Sequence, residues 1–177
     1  MPFLLRGLKK LELWKQDSPT FAWVGKDDFA ADLITDLVPT HGGTLSVWVI
    51  EDDLSNLSRV IAAMIATKTK KESVGSDFPY LLINQDAIAD EGFELDEKQG
   101  DTPDDVANKK WHRDIAKLTC SKLFQLARVL WQAKKLDEIA DWDTIPLLQK
   151  SIDQGFLPQG ALNKAVKAAI DEWKASS

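Results

Sequence analysis

The sequence predicts an α/β fold: a small, mostly parallel sheet in the order β-β-α-β-α-β, followed by an all-helical C-terminal half. Three observations predict it. Two nearly continuous apolar runs, Thr44–Ile50 and Phe78–Asn84, suit strands covered on both faces. Between them Leu57, Val60, Ile61, Met64 and Ile65 recur at helical spacing, and a β-α-β series calls for a right-handed crossover. Beyond Pro103 the apolar residues keep a helical period. At 177 residues the chain suits one domain, with an α/β part over 1–85, an acidic loop over 86–102 and a helical part over 103–177.

The elements follow in order. Leu11–Lys15 and Thr20–Gly25 alternate as strands do, and Gln16-Asp17-Ser18-Pro19 between them is turn chemistry, which predicts a hairpin. The competing reading is an N-terminal helix on Leu4, Leu8 and Leu11, interrupted by Gly7. Asp27 can cap a helix to about Val38, with Phe29, Leu33, Ile34 and Leu37 on its buried side and Pro39 as its stop. Asp28, Asp32 and Asp36 then form the wet side of that helix. Asp52 or Asp53 caps the next helix, about Leu54 to Lys68, and 68–77 reads as a polar loop. Thr102, Pro103 and Asp105 make a helix start, and the helix runs about thirty residues to Lys135. Shorter helices follow at about Thr144–Gln154, stopped by Gly155, and Ala161–Lys174.

Charge is distributed unevenly. The net charge is −6, yet Asp86 to Asp105 holds nine acids against the single base Lys98, so the rest of the chain is slightly basic. The long helix would gather Lys110, Arg113, Lys117, Arg128 and Lys135 on one side, with Phe124 and Trp131 among them. Such a stripe is either a solvated face or a surface for phosphate, nucleic acid or an acidic partner. The acidic residues Asp90, Glu91, Glu94, Asp96 and Glu97, with Lys110, Arg113 and Lys117, are the candidate partner-binding set. The loop would either dock transiently on the stripe or meet a basic partner, and deleting Asp90–Gly100 should leave folding nearly intact.

Candidate catalytic residues are few. Glu51, Asp52 and Asp53 fall at the carboxyl end of the central strand, where open α/β sheets bind ligands, and Asp86 ends the next strand. Together they could supply oxygens to a hard cation in phosphoryl transfer or hydrolysis. His41, beside Gly42-Gly43, is a weaker candidate base; His112 reads as a packed residue. The string Leu45 to Asp53 resembles the first strand of a response-regulator receiver domain. That resemblance requires an aspartate where Asn84 stands, and strands where the chain turns helical, so it is not carried further.

Other chemistries lack their residues. One cysteine, Cys120, permits no internal disulfide, and with two histidines no Cys/His zinc cluster can form within the chain. Phosphate-binding glycine loops and the Gly-x-Ser-x-Gly elbow are absent from the sequence. No cofactor, resident metal or membrane span is expected, and the expected compartment is the cytoplasm. The leading expectation is a non-enzymatic regulatory or interaction protein (an inhibitor, an immunity-like protein or an accessory subunit) whose partner is another protein. The alternative is the metal-dependent enzyme.

Overall fold

The computed structural model describes residues 1–16, 18–25, 28–38, 42–141 and 143–176. The expected helix cap Asp27, the helix stop Pro39 and the candidate base His41 lie outside them. In chain order the N-terminal part forms β1 (Phe3–Gly7), 3-10 turns at Leu11–Trp14, Pro19–Phe21 and Ala31–Leu33, α1 (Ile34–Leu37), β2 (Leu45–Ile50), α2 (Leu57–Ile65), α3 (Lys71–Val74) and β3 (Phe78–Asn84). There follow α4 (Gln85–Ala89), β4 (Leu95–Glu97), α5 (Asp105–Lys110), β5 (His112–Ile115), α6 (Cys120–Ala133), β6 (Lys135–Ile139), α7 (Thr144–Asp153) and α8 (Lys164–Ser176). None of the described helices is long and apolar enough to cross a membrane.

The chain forms two compact units that interleave along the sequence. The first comprises Met1–Val49, Pro79–Glu97 and Arg113–Asp137; the second comprises Ile50–Phe78, Lys98–His112 and Glu138–Ser177.

The first unit carries the sheet. Its six strands run in the order β4-β5-β2-β1-β3-β6 and pair antiparallel throughout, with β1–β3 registered from Phe3↔Asn84 to Gly7↔Tyr80. This overturns the expected mostly parallel sheet, for one physical reason. Strands β2 and β3 point the same way, as a helical crossover demands, but β1 lies between them and pairs antiparallel. The strand Phe3–Gly7 also replaces both N-terminal expectations, since Leu11–Trp14 and Pro19–Phe21 are single 3-10 turns rather than hairpin strands or a helix. Leu4 and Leu5, neighbours on opposite faces of β1, are both fully buried.

The expected all-helical C-terminal half is likewise overturned. The thirty-residue helix is two helices separated by β5, and β6 follows the second. Asp104 rather than Thr102 caps the first of them, accepting from the backbone N–H groups of Val106 and Ala107 at 3.1 and 2.9 Å. The turn between β5 and α6 is fixed by backbone. Leu118 N–H donates to Gly43 O at 2.8 Å, and Gly43 has a φ of +66°. A Cβ on Gly43 would lie 3.1 Å from Leu118 O, so both conformation and space require glycine there.

The first unit's core joins Leu4, Trp14, Phe29, Leu33, Val47, Leu81, Ile115 and Leu126. At its margin Asp36 is only 3% exposed, which corrects the reading of Asp28, Asp32 and Asp36 as one wet face. The helix there spans four residues, so the three aspartates share no face. Asp36 accepts from the Trp14 indole N–H at 2.9 Å and from Lys9 N–H at 3.0 Å, and its charge offsets the burial of the Arg6 guanidinium. Replacing Asp36 with alanine leaves two buried donors and a cation without their partner. The expected loss is about 2–4 kcal/mol in urea unfolding, with Asp36→Asn in between.

The acidic segment is ordered, not a spare loop. Residues 85–89 form α4, Phe93 is a core residue, and Leu95–Glu97 is the edge strand paired with β5. A three-residue edge strand ending in two acids resists pairing with another chain.

The second unit is helical. Helix α2 packs on α7 and α5, and α8 packs on α3 and α7. The chain stops α7 at Gly155, which adopts a φ of +74°. Thr144, fully buried, donates its hydroxyl to Val74 O at 2.8 Å.

Candidate functional site

The second unit holds a cleft of about 410 Å³ beside the turn that follows β2. That turn carries Glu51, Asp52 and Asp53. Its backbone closes through Leu54 N–H to Glu51 O at 2.9 Å, and Asn56, buried beneath it, accepts from Glu51 N–H at 2.9 Å. Asp53 accepts from Ser55 N–H at 2.9 Å, and the Ser55 bonds hold its carboxyl below the usual range. The expected cap role of Asp52 or Asp53 is therefore corrected: Asn56 stands at the N-cap of α2, and Asp53 orders the turn before it.

Leu54 sits at the apex with a φ of +60°, a left-handed conformation that costs a leucine about 1–2 kcal/mol. Its side chain is 42% exposed. A strained backbone that presents an apolar side chain to solvent contributes nothing to the core around it.

The opposite wall comes from α5 and the segment after α7. Trp111 is buried, and its indole N–H donates to Glu51 at 3.2 Å. Arg59, from α2, makes a two-pronged bond to Asp104 at 2.6 and 2.8 Å. Its guanidinium lies 3.9 Å from the centre of the Phe156 ring and 5.4 Å from that of Trp111. Lys110 places its ammonium 5.2 Å from the Trp111 ring. One turn earlier on the same helix face, Val106 is 52% exposed. Because Asp104 neutralises Arg59, three carboxylates face one ammonium, and the cleft presents surplus negative charge to solvent.

The structure thus brings together Glu51, Asp52, Asp53 and Lys110. Asp86 lies in the first unit, exposed in the first turn of α4. Among the described residues, no three His, Cys, Asp or Glu side chains are placed to hold a metal ion. His112 is buried, its Nδ1 2.8 Å from Lys98 O. Arg59, Asn56, Trp111 and Phe156 were not singled out in the sequence as site residues. The end of α5 puts both Lys110 and Trp111 at the cleft.

The other charged residues lie in the first unit and do not form a helical stripe. Arg113 belongs to β5, Lys117 to the turn after it, Arg128 to α6 and Lys135 to β6. Two of them meet the acidic segment directly: Lys117 pairs with Glu94 at 2.6 Å and Arg113 with Glu97 at 3.2 Å. Glu91 accepts from the Gln125 amide at 3.0 Å. At the far end of α6, burial pushes Lys134 down to about 8, while its contact with the face of Trp131 works in the opposite direction.

Comparison of the chain with protein-family models, with curated proteins and with solved structures returns no match.

Proposed function

We propose that this protein is a non-enzymatic interaction protein that binds a basic region of a partner protein through the cleft bounded by Glu51, Asp52, Asp53 and Trp111. The observation that carries the reading is Leu54, held in a strained conformation with its side chain in solvent at the rim of an acidic, aromatic-walled cleft. Strain of this kind collects at ligand-binding and switch segments. Exposed Leu54 supplies an apolar contact beside the carboxylates, the mixture that interfaces between proteins use. The carboxylates would steer a basic partner and set its orientation. The exposed acids Asp90, Asp96 and Glu97 of the first unit extend the same preference for a basic partner. The exposed thiol of Cys120 suits the reducing cytoplasm, where we place the protein.

Affinity capture with the parent and two variants tests the proposal. Asp52→Lys combined with Asp53→Lys should abolish a salt-sensitive partner that the unaltered protein retains, since exposed attraction fades as the screening length falls toward about 3 Å at 1 M salt. Leu54→Gly relieves the left-handed strain, so its melting temperature should hold, with folding stability within about 1 kcal/mol of the parent. The same variant should lose partner binding. Equal capture by all three proteins would refute the proposal.

A further inference from the structure

The two edges of the sheet carry different charge patterns. Strand β4 ends in two acids, whereas β6, last in the strand order and paired with β3 alone, carries both signs. Lys134, just past the end of α6, is already extended, with φ −67° and ψ 141°, so the edge reads Lys134-Lys135-Leu136-Asp137-Glu138-Ile139. Lys135, Asp137 and Glu138 are exposed, and Leu136 rims the first unit's core. The ammoniums of Lys134 and Lys135 rest 3.2 and 5.0 Å from the ring centres of Trp131 and Phe3, and among the described residues neither is held in an ion pair. Asp137 accepts from the Tyr80 hydroxyl at 2.9 Å through Oδ2. An edge strand offers a row of backbone donors and acceptors to any further strand, and like charges set opposite each other are what bars such pairing.

Two antiparallel copies of one strand are related by a two-fold axis, which sets one residue opposite itself and its neighbours opposite each other in turn. On Lys135, Asp137 or Glu138 that axis would bring like charges face to face, and on Ile139 it would bring Asp137 against Asp141. On Leu136 it does the reverse: Lys135 faces Asp137, Lys134 faces Glu138, and Leu136 meets its own copy. Of the registers centred within β6, this is the one that opposes no like charges. We infer that β6 is a self-recognition edge, which joins two copies of the chain antiparallel about Leu136 into one continuous sheet. Two lysines without a carboxylate inside the chain each gain one from the second copy. Both copies use the same patch, so the contact closes at two and does not propagate. A foreign strand would need the same order of signs, so the charges that deter general edge pairing admit this one. A strand of five residues makes a small interface, and the dimer is reversible. The contact uses no residue of the acidic cleft, so its success or failure does not bear on that reading.

The test is sedimentation of the full chain over about 5 to 500 µM, across which the parent should pass from monomer to dimer. Lys135→Glu alters an exposed side chain and sets an acid against Asp137 of the second copy, so it should weaken the dimer at least about tenfold. Asp137→Lys sets a lysine against Lys135 and should do the same. Mixed in equal amounts, these two variants regain opposite charges at both positions, and should form a heterodimer within about threefold of the parent's affinity. That rescue is a readout that a general loss of stability would not produce. Because Asp137→Lys also removes the acceptor of Tyr80, each variant is melted alone, and Glu138→Lys, an exposed change that sets a lysine against Lys134, supplies a second disruption of at least about threefold. A parent still monomeric at about 500 µM, a dimer indifferent to Lys135→Glu and Glu138→Lys, or folded variants that fail to pair when mixed would each overturn the inference.

Discussion

Replacing Asp104 with alanine is expected to cost about 3–5 kcal/mol of folding stability, because it strands a largely buried guanidinium and uncaps a helix in one step. Asp104 is 1% exposed and the Arg59 side chain 18% exposed, so neither charge has much water to fall back on. The carboxylate serves Arg59 with both oxygens and the first turn of α5 with Oδ1. The double variant Asp104→Ala with Arg59→Met separates the two roles. Removing both charges eliminates the stranded cation, so the double variant should recover most of the loss, leaving about 1 kcal/mol for the missing cap. Urea unfolding of the parent, both single variants and the double variant closes the cycle. A double variant no more stable than Asp104→Ala would show that the pair is not the source of the effect.

Deleting Asp90–Gly100 is expected to unfold the first unit or leave it barely stable, the opposite of what a spare acidic loop predicts. The deletion removes Phe93, 6% exposed, whose loss alone is worth about 3–5 kcal/mol. It also removes β4, which would leave β5 as an unprotected edge open to pairing between chains. Since domains are stable by only about 5–15 kcal/mol, the shortened chain should aggregate or melt well below the parent. A gentler change separates charge from structure. Asp90→Asn with Asp96→Asn alters exposed residues only, and should move stability by less than about 0.5 kcal/mol per site. Normal melting by the deletion variant would return the segment to the status of a dispensable loop.

What the sequence made legible was local pattern, and what it concealed was pairing. Leu45–Ile50 and Phe78–Asn84 are legible because dense apolar runs of that length, bounded by turns, have few alternatives. Helix α7 and its stop at Gly155 are legible for a similar reason: spacing and a glycine agree. Strand β1 was hidden because Leu4 and Leu5 are adjacent, so a strand buried on both faces shows no alternation. Strand β5 was hidden by coincidence of spacing. Trp111, Ile115 and Leu118 recur as a helix face would, although they come from a helix end, a strand and a turn. At the site, the clustering of Glu51, Asp52 and Asp53 could be read directly. Their neighbours Arg59, Trp111 and Phe156 could not, because they arrive from 59, 111 and 156 by tertiary packing alone.

The place of β1 between β2 and β3 bears on how the chain acquires its fold in time. Arg6 meets Ser46 and Phe3 meets Asn84, so the N-terminal strand waits for partners some 40 and 80 residues further along. During synthesis it has no strand partner until β2 has left the ribosome, and its second edge stays open until β3 follows. Loop closure over such distances is paid before any contact rewards it, which places folding in the slow regime of roughly milliseconds to seconds. Mutations in β1 should therefore slow refolding more than they speed unfolding.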